Sequence, residues 1–280
     1  MSDRLRIVNE RPTTAAAICA QGISKCFGGS DSPIVALSSV DLTIRDGEFI
    51  AIVGPSGCGK STFLRIVAGI SKPTTGTVTT PRGVVTGPLT DVGIVFQSPV
   101  LLDWRNVLDN VLIQFELRGM KARDFTERAT GLLAAVGLGD FLRRYPRELS
   151  GGMRQRAAIA RALVHNPSLL LMDEPFGALD ALTREQMRVD LEALWLKSQK
   201  TVLFVTHGID EAVLLADRVV VMSPRPGRIE DVIDVDIPRP RGLDARRNAT
   251  FLEITEKITN IFLSRGVFRQ SSGLAASLGH

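Results

Sequence analysis

A chain of 280 residues, 44% hydrophobic and 23% charged, is long enough for a sizeable buried core and ordinary for a globular protein. Its formal charge of +4, with no dominant basic stripe, argues against a nucleic-acid partner. Cys19, Cys26 and Cys58 form an odd set without metal-ligand spacing, which favours a reduced chain over a disulfide framework.

Residues 1–18 read as a tail. Its apolar stretch at 15–20 is too short for a signal peptide. From 19 to 45 the pattern is extended, with Val40, Leu42 and Ile44 alternating with Asp41, Thr43 and Arg45, as in a half-exposed strand. Asp46-Gly47 is a hairpin signal. "FIAIVG" at 49–54 is a continuous apolar run, the mark of a strand buried on both faces. Beyond the glycine-rich stretch that follows, Phe63, Ile66, Val67 and Ile70 share a helical face, and "SKP" at 71–73 stops the helix.

A second β region is expected over 75–96. Residues 106–164 read mostly helical, broken at Gly119, at "GLGD" and at "YPRELSGG". "LLLMDEP" at 169–175 and "VLFVTH" at 202–207 are further buried strands. A helix over 181–198 lies between them, its apolar face Met187, Leu191, Leu194 and Trp195. Strands alternating with helices predict an α/β fold with a mostly parallel sheet. From Ile237 the chain is rich in Pro and Arg, and a C-terminal helix is expected over 247–265, followed by a loose end. Arginines gather at Arg143, Arg144 and Arg147 and again over 239–247, clusters that serve solubility or could face acidic lipid or a partner. No uncharged apolar run approaches the roughly 18 residues of a membrane span, so membrane work would need a spanning partner.

"GPSGCGKST" at 54–62 matches G-x-x-x-x-G-K-[ST], with a buried strand before it and a helix after it. The backbone of Gly54, Pro55, Ser56, Gly57, Cys58 and Gly59 can curl its N–H groups around phosphates. Lys60 is expected to reach the β- and γ-phosphates and Ser61 a Mg²⁺ ion, while Thr62 opens a helix whose positive end favours anions. Cys58 is filler, not a nucleophile. Asp173, ending a buried strand, suits a Mg²⁺ contact, and Glu174 falls where an attacking water would stand. His207 ends the next strand with the same outlook, whereas His165 has no such context and reads as structural. Open α/β sheets gather such strand ends at one crevice. "LSGGMRQR" at 149–156 is a second nest, with a hydroxyl residue and paired glycines leading into a helix.

These motifs, in this order, resemble the ATP-binding subunit of an ABC transporter over about residues 19–223. The resemblance implies a P-loop NTPase (RecA-like) fold with an antiparallel β subdomain. It divides the chain into a tail over 1–18, an ATP-binding domain over 19–236 with a helical insertion at about 98–160, and an extension over 237–280. It implies a Walker A loop at 54–62 and Gln97 as the Q-loop residue, a catalytic and Mg²⁺-linked glutamine. It further implies Glu174 as catalytic carboxylate, residues 178–180 as the D-loop, His207 as the switch histidine, and Phe27 as the ring stacked on adenine, where tyrosine is common. Ser150, Gly151 and Gly152 then form the signature motif, capping ATP bound by a second, identical subunit.

"SPVLLDWRNVLDNV" at 98–111 occupies the region that grips a membrane permease in ABC importers, with Leu101, Leu102, Trp104 and Val107 as the apolar cleft. Trp104 reads equally well as core of the insertion. With "MSPRPGRI" at 222–229 it is similar to the nitrate, sulfonate and taurine importers, a group with thiamine-precursor and aromatic-acid relatives. Asp103 departs from the proline common there, which leaves the solute open. Arg225 and Arg228 read as solvated arginines. A permease, a periplasmic solute-binding protein and a position on the cytoplasmic face of the inner membrane follow from the resemblance. Soluble ABC ATPases, P-loop kinases or GTPases, and exporters fit less well, since no second nucleotide domain, "NKxD" motif or fused membrane span is present.

Overall fold

The computed structural model describes residues 15–28, 32–177 and 179–267. Most of the expected tail, the last ten residues and Ala178 of the D-loop lie outside them.

Among the described residues, two sheets share one layer of core. The first is four-stranded and antiparallel: β1 (Ala16–Phe27), β2 (Ile34–Arg45), β4 (Thr75–Thr80) and β5 (Gly83–Val84), in the order β2-β1-β4-β5. The second takes β3 (Phe49–Val53), β6 (Val92–Val95), β7 (Leu169–Asp173), β8 (Thr201–Thr206), β9 (Arg218–Met222) and β10 (Ile229–Asp234), in the order β10-β9-β3-β8-β7-β6. There β6, β7, β8, β3 and β9 run parallel, and β10 is an antiparallel edge.

The parallel strands are apolar on both faces because both are covered. In β3, Ile50 and Ile52 enter the layer shared with the antiparallel sheet and α1 (Lys60–Val67). Phe49, Ala51 and Val53 point the other way, toward α5 (Ala181–Ser198), α6 (Ile209–Leu215) and α7 (Ala249–Ser264). The helical part, with α2 (Val107–Glu116), α3 (Thr126–Ala135) and α4 (Gly151–Leu163), has a third core around Val111, Leu133 and Ala157. Two of these helices, α2 and α4, begin where a side chain satisfies a free N–H group: Asn106 accepts from Asp109 N at 2.8 Å and Ser150 from Met153 N at 3.2 Å.

Several expectations change. Asp46-Gly47 turns the chain but closes no hairpin: β2 pairs with β1, whereas β3 enters the other sheet. Turn chemistry is local, and sheet membership is not. The β region over 75–96 divides likewise, β4 and β5 joining the first sheet and β6 the second. β1 starts at Ala16, inside the stretch read as tail. Ile70 is 48% exposed, because α1 ends at Val67 and Ile70 falls past the helix.

The C-terminal arginines do not all face outward. Arg239 lies 4.3 Å over the Trp195 ring and pairs with Glu192 and Asp217. Buried Arg241 donates to the carbonyls of Ile237, Val213 and Val235. These bonds tie the returning chain to α5 and α6, so Arg239 and Arg241 do not form part of an outward basic face. α7 then buries Phe251, Ile254, Ile258 and Phe262 in the main core, each contributing about 1.5–3 kcal/mol.

Candidate functional site

The loop from Gly54 to Gly59 joins β3 to α1, so α1 points its N-terminus at the C-terminal ends of the parallel strands. Gly59 caps α1 with φ of 106°, and a Cβ there would stand 2.8 Å from the Ala36 carbonyl oxygen, so only glycine fits. Lys60 is 4% exposed, and its Nζ donates to the carbonyls of Gly54 at 2.8 Å and Pro55 at 3.0 Å. The ammonium is therefore held inside the loop it serves. Burial pushes the Cys58 thiol up, which keeps it protonated and inert, in keeping with its role as filler.

Around this loop opens a cleft of about 370 Å³. Ser56, Gly57, Gly59, Lys60, Ser61 and Thr62 form its floor, and Phe27, Ile34 and Ala36 one wall. Gln97, Glu174 and Arg225 also line it. Phe27, at the end of β1, is 46% exposed and offers a ring face, with Lys25 Nζ 5.1 Å from its centroid.

Ser61 Oγ donates to Asp173 Oδ1 at 2.7 Å, joining the start of α1 to the end of β7. Asp173 is buried, and desolvation raises its carboxyl above the ordinary range despite that bond. Glu174 follows with φ of 46°, a left-handed conformation that costs a non-glycine residue about 1–3 kcal/mol. Its N–H donates to the Val205 carbonyl at 2.8 Å. Glu174 Oε2 accepts from Gln97 Nε2 at 3.2 Å and lies 3.3 Å from His207 Nδ1. The ends of β7 and β8 and the segment after β6 thus converge on one carboxylate.

Ser150, Gly151 and Gly152 do not line this cleft. Exposed Ser150 caps α4, and Gly152 packs where a Cβ would stand 2.9 Å from Thr183 Cγ2. α4 also grips the stretch after Gln97: Arg161 donates to the carbonyls of Pro99 and Val100 at 2.9 and 2.7 Å. Beyond it Trp104 is 74% exposed, with Val100 exposed and Leu101 and Leu102 half-buried beside it in the chain. Val107, expected in that apolar surface, is instead core of the helical part, and Trp104 is not.

Ile34, Ala36 and Arg225 are cleft residues that the sequence reading missed. β2 brings the first two there by pairing with β1, and no motif marks them. Arg225 stands in a loop after β9, the strand beside β3. That position at a strand end was the available signal.

A model of the family described as ABC transporter matches residues 37–177. The chain belongs to that family. It is 45% identical over 254 residues to an uncharacterised ABC transporter ATP-binding protein of Methanocaldococcus jannaschii, covering 91% of this chain and 94% of the relative. It is 41% identical to a nitrate import ATP-binding protein of Synechocystis, over 87% and 94% of the two chains. It is 46% identical to a taurine import ATP-binding protein of Rhizobium johnstonii, over 85% and 92%. A solved post-hydrolysis dimer of an ATP-binding cassette with ADP and Pi superposes with a TM-score of 0.71 at 33% identity, covering 79% of this chain and all of that one. The fold is that of a P-loop NTPase, and the chain is an ABC ATPase in the group of the nitrate and taurine importers.

Proposed function

We propose that this ABC ATPase powers uptake of a small anionic solute, of the nitrate, sulfonate or taurine kind, through a separate membrane permease. It works as a pair of identical subunits on the cytoplasmic face of the inner membrane, with a solute-binding protein delivering cargo to the permease. The similarity to nitrate and taurine import proteins supports the solute class, and the observation that carries the paired ATPase is the division of the machinery. The phosphate loop, Asp173, Glu174, Gln97 and His207 gather at one cleft, while Ser150, Gly151 and Gly152 stand outside it. A chain that keeps an anion nest away from its own phosphates is built to lend it to another.

In the cleft Phe27 stacks on adenine. The N–H groups of the loop from Gly54 to Gly59, with those of Lys60, Ser61 and Thr62 at the start of α1, take the phosphates. Lys60 exchanges the carbonyls of Gly54 and Pro55 for β- and γ-phosphate oxygens.

The hydroxyl of Ser61 beside the desolvated carboxylate of Asp173 is a hard oxygen pair suited to Mg²⁺, which keeps several waters and needs few protein ligands. Ser61 and Asp173 would hold the ion, with Gln97 supporting it; when bound, it supplies charge neutralisation to the phosphates. Glu174 orients the attacking water and takes its proton. His207 steadies that carboxylate and donates to the γ-phosphate. Ser150, Gly151 and Gly152 of the second subunit close the site, exclude water and stabilise the developing charge. Loss of the γ-phosphate removes the group both halves share and lets the pair open. Trp104, with Val100, Leu101 and Leu102, meets the permease and passes that movement on.

Reconstitution tests this. Vesicles holding the permease and this chain, given ATP and the cognate binding protein, are expected to accumulate labelled taurine, another sulfonate or nitrate. Lys60→Ala abolishes the uptake. ATP-driven uptake confined to solutes without a sulfonate, nitrate or other anionic group contradicts the solute class; uptake unchanged by Lys60→Ala contradicts the role of the cleft.

A further inference from the structure

One cationic side chain in the cleft has been given no part in nucleotide binding above. Arg225 lines it together with Phe27, Ser56, Gly57 and Lys60. Its Nε donates to the Gly57 carbonyl at 3.2 Å, and its Nη2 would stand 3.4 Å from a Cβ placed on Gly57. The guanidinium therefore lies on the tip of the phosphate loop. Of its five N–H groups, that one bond is the hydrogen bond it makes among the described residues.

The backbone beneath it is fixed. Buried Ser223 accepts from Arg228 N at 3.1 Å, and Ser223 N donates to the Arg228 carbonyl at 2.9 Å, closing a compact turn over 223–228. Gly227 N donates to the Ala36 carbonyl at 3.0 Å, and Ser38 N to the Gly227 carbonyl at 2.9 Å, joining the turn to β2. The approach to the phosphate loop is backbone to backbone. A Cβ on Gly227 would overlap the Cys58 carbonyl oxygen at 1.9 Å. Arg225 itself is exposed, but the turn and the Gly57 contact fix where its charge stands.

We propose that Arg225 is a further nucleotide-binding residue, its guanidinium giving a positive charge to the polyphosphate on the Gly57 side of the cleft. The inference rests on the reading that this cleft takes ATP. A triphosphate carries more negative charge than Lys60 and one divalent cation neutralise, and Glu174 adds a further negative group to the cleft. Arg225 offsets that excess with N–H groups left free by Gly57.

Binding of ATP, ADP and adenosine to the full chain, measured by calorimetry at low and high salt, tests it. Arg225→Gln keeps an N–H donor for the Gly57 carbonyl and loses the charge; Arg225→Lys keeps the charge. We expect Arg225→Gln to weaken ATP about tenfold at low salt. ADP should weaken less and adenosine not at all, the deficit should shrink with salt, and Arg225→Lys should recover most of it. ATP binding by Arg225→Gln at the wild-type level overturns the proposal. So does an equal loss for ATP and adenosine, which marks a purely structural role. Lys60→Ala is the control for the underlying reading. If it loses ATP while Arg225→Gln does not, the Arg225 inference alone falls; if Lys60→Ala also binds ATP normally, both fall.

Discussion

The Gln97 amide donates to the Glu174 carboxylate at 3.2 Å, across the ends of two neighbouring strands of the parallel sheet. Glu174 is thereby held in the cleft by a neutral partner, and its left-handed backbone makes the aim of the side chain part of the fold. Glu174→Gln keeps shape and hydrogen bonding and removes the base. ATP hydrolysis should fall by about 10²-fold or more, with ATP binding retained. Size-exclusion chromatography with ATP should then show a stable dimer. A variant that binds ATP yet elutes as a monomer contradicts the two-copy scheme.

The bond from Ser61 to Asp173 locates the expected Mg²⁺ position. Asp173→Asn should raise the Mg²⁺ concentration needed for half-maximal turnover by about tenfold, and Ser61→Ala by less. Titration of ATPase activity against Mg²⁺ reads this directly. Unchanged Mg²⁺ dependence in Asp173→Asn removes that residue from the ion site.

Much of this site was legible in the sequence because its chemistry is carried by short local motifs. A glycine loop between an apolar strand and a helix has few other uses, and "LLLMDEP" and "VLFVTH" announce their buried strands by composition. What escaped is non-local. Asp46-Gly47 has the chemistry of a hairpin, yet its flanking strands part into different sheets. Arg225 reads as one more exposed arginine, and its place at the cleft emerges only when the turn over 223–228 is laid on the phosphate loop, Gly227 against Cys58. Arg239 and Arg241 read as a basic patch, but the acidic groups and carbonyls that bury them come from α5, α6 and the strand ends.

His165 gives the chain a pH dependence unrelated to catalysis. Burial, helped by the nearby Arg118, pushes its imidazole down to about 4. In the unfolded chain it takes a proton near its ordinary 6.5. The unfolded state therefore binds more protons between these values, and stability falls as pH drops from about 6.5 toward 4. Urea midpoints at pH 7 and pH 5 should differ in the wild type and differ less in His165→Gln. An identical pH slope in both assigns the loss to other groups.

Trp104 presents a large apolar face with no place in the core of the helical part. Trp104→Ala should leave the thermal midpoint unchanged, since no buried packing is lost, and weaken co-purification with the permease. A lowered midpoint with normal permease binding would return this residue to a structural role.

The central claim is that each ATP is enclosed by the phosphate loop of one copy and Ser150 to Gly152 of another, and mixing two crippled chains tests it most directly. Lys60→Ala spoils the loop, and Ser150→Arg blocks the nest. In a mixed pair, one site joins the intact loop of the second variant to the intact nest of the first. Each variant alone should be inactive, and an equal mixture should regain up to about a quarter of the wild-type ATPase rate. A mixture no more active than its separate components would contradict the account.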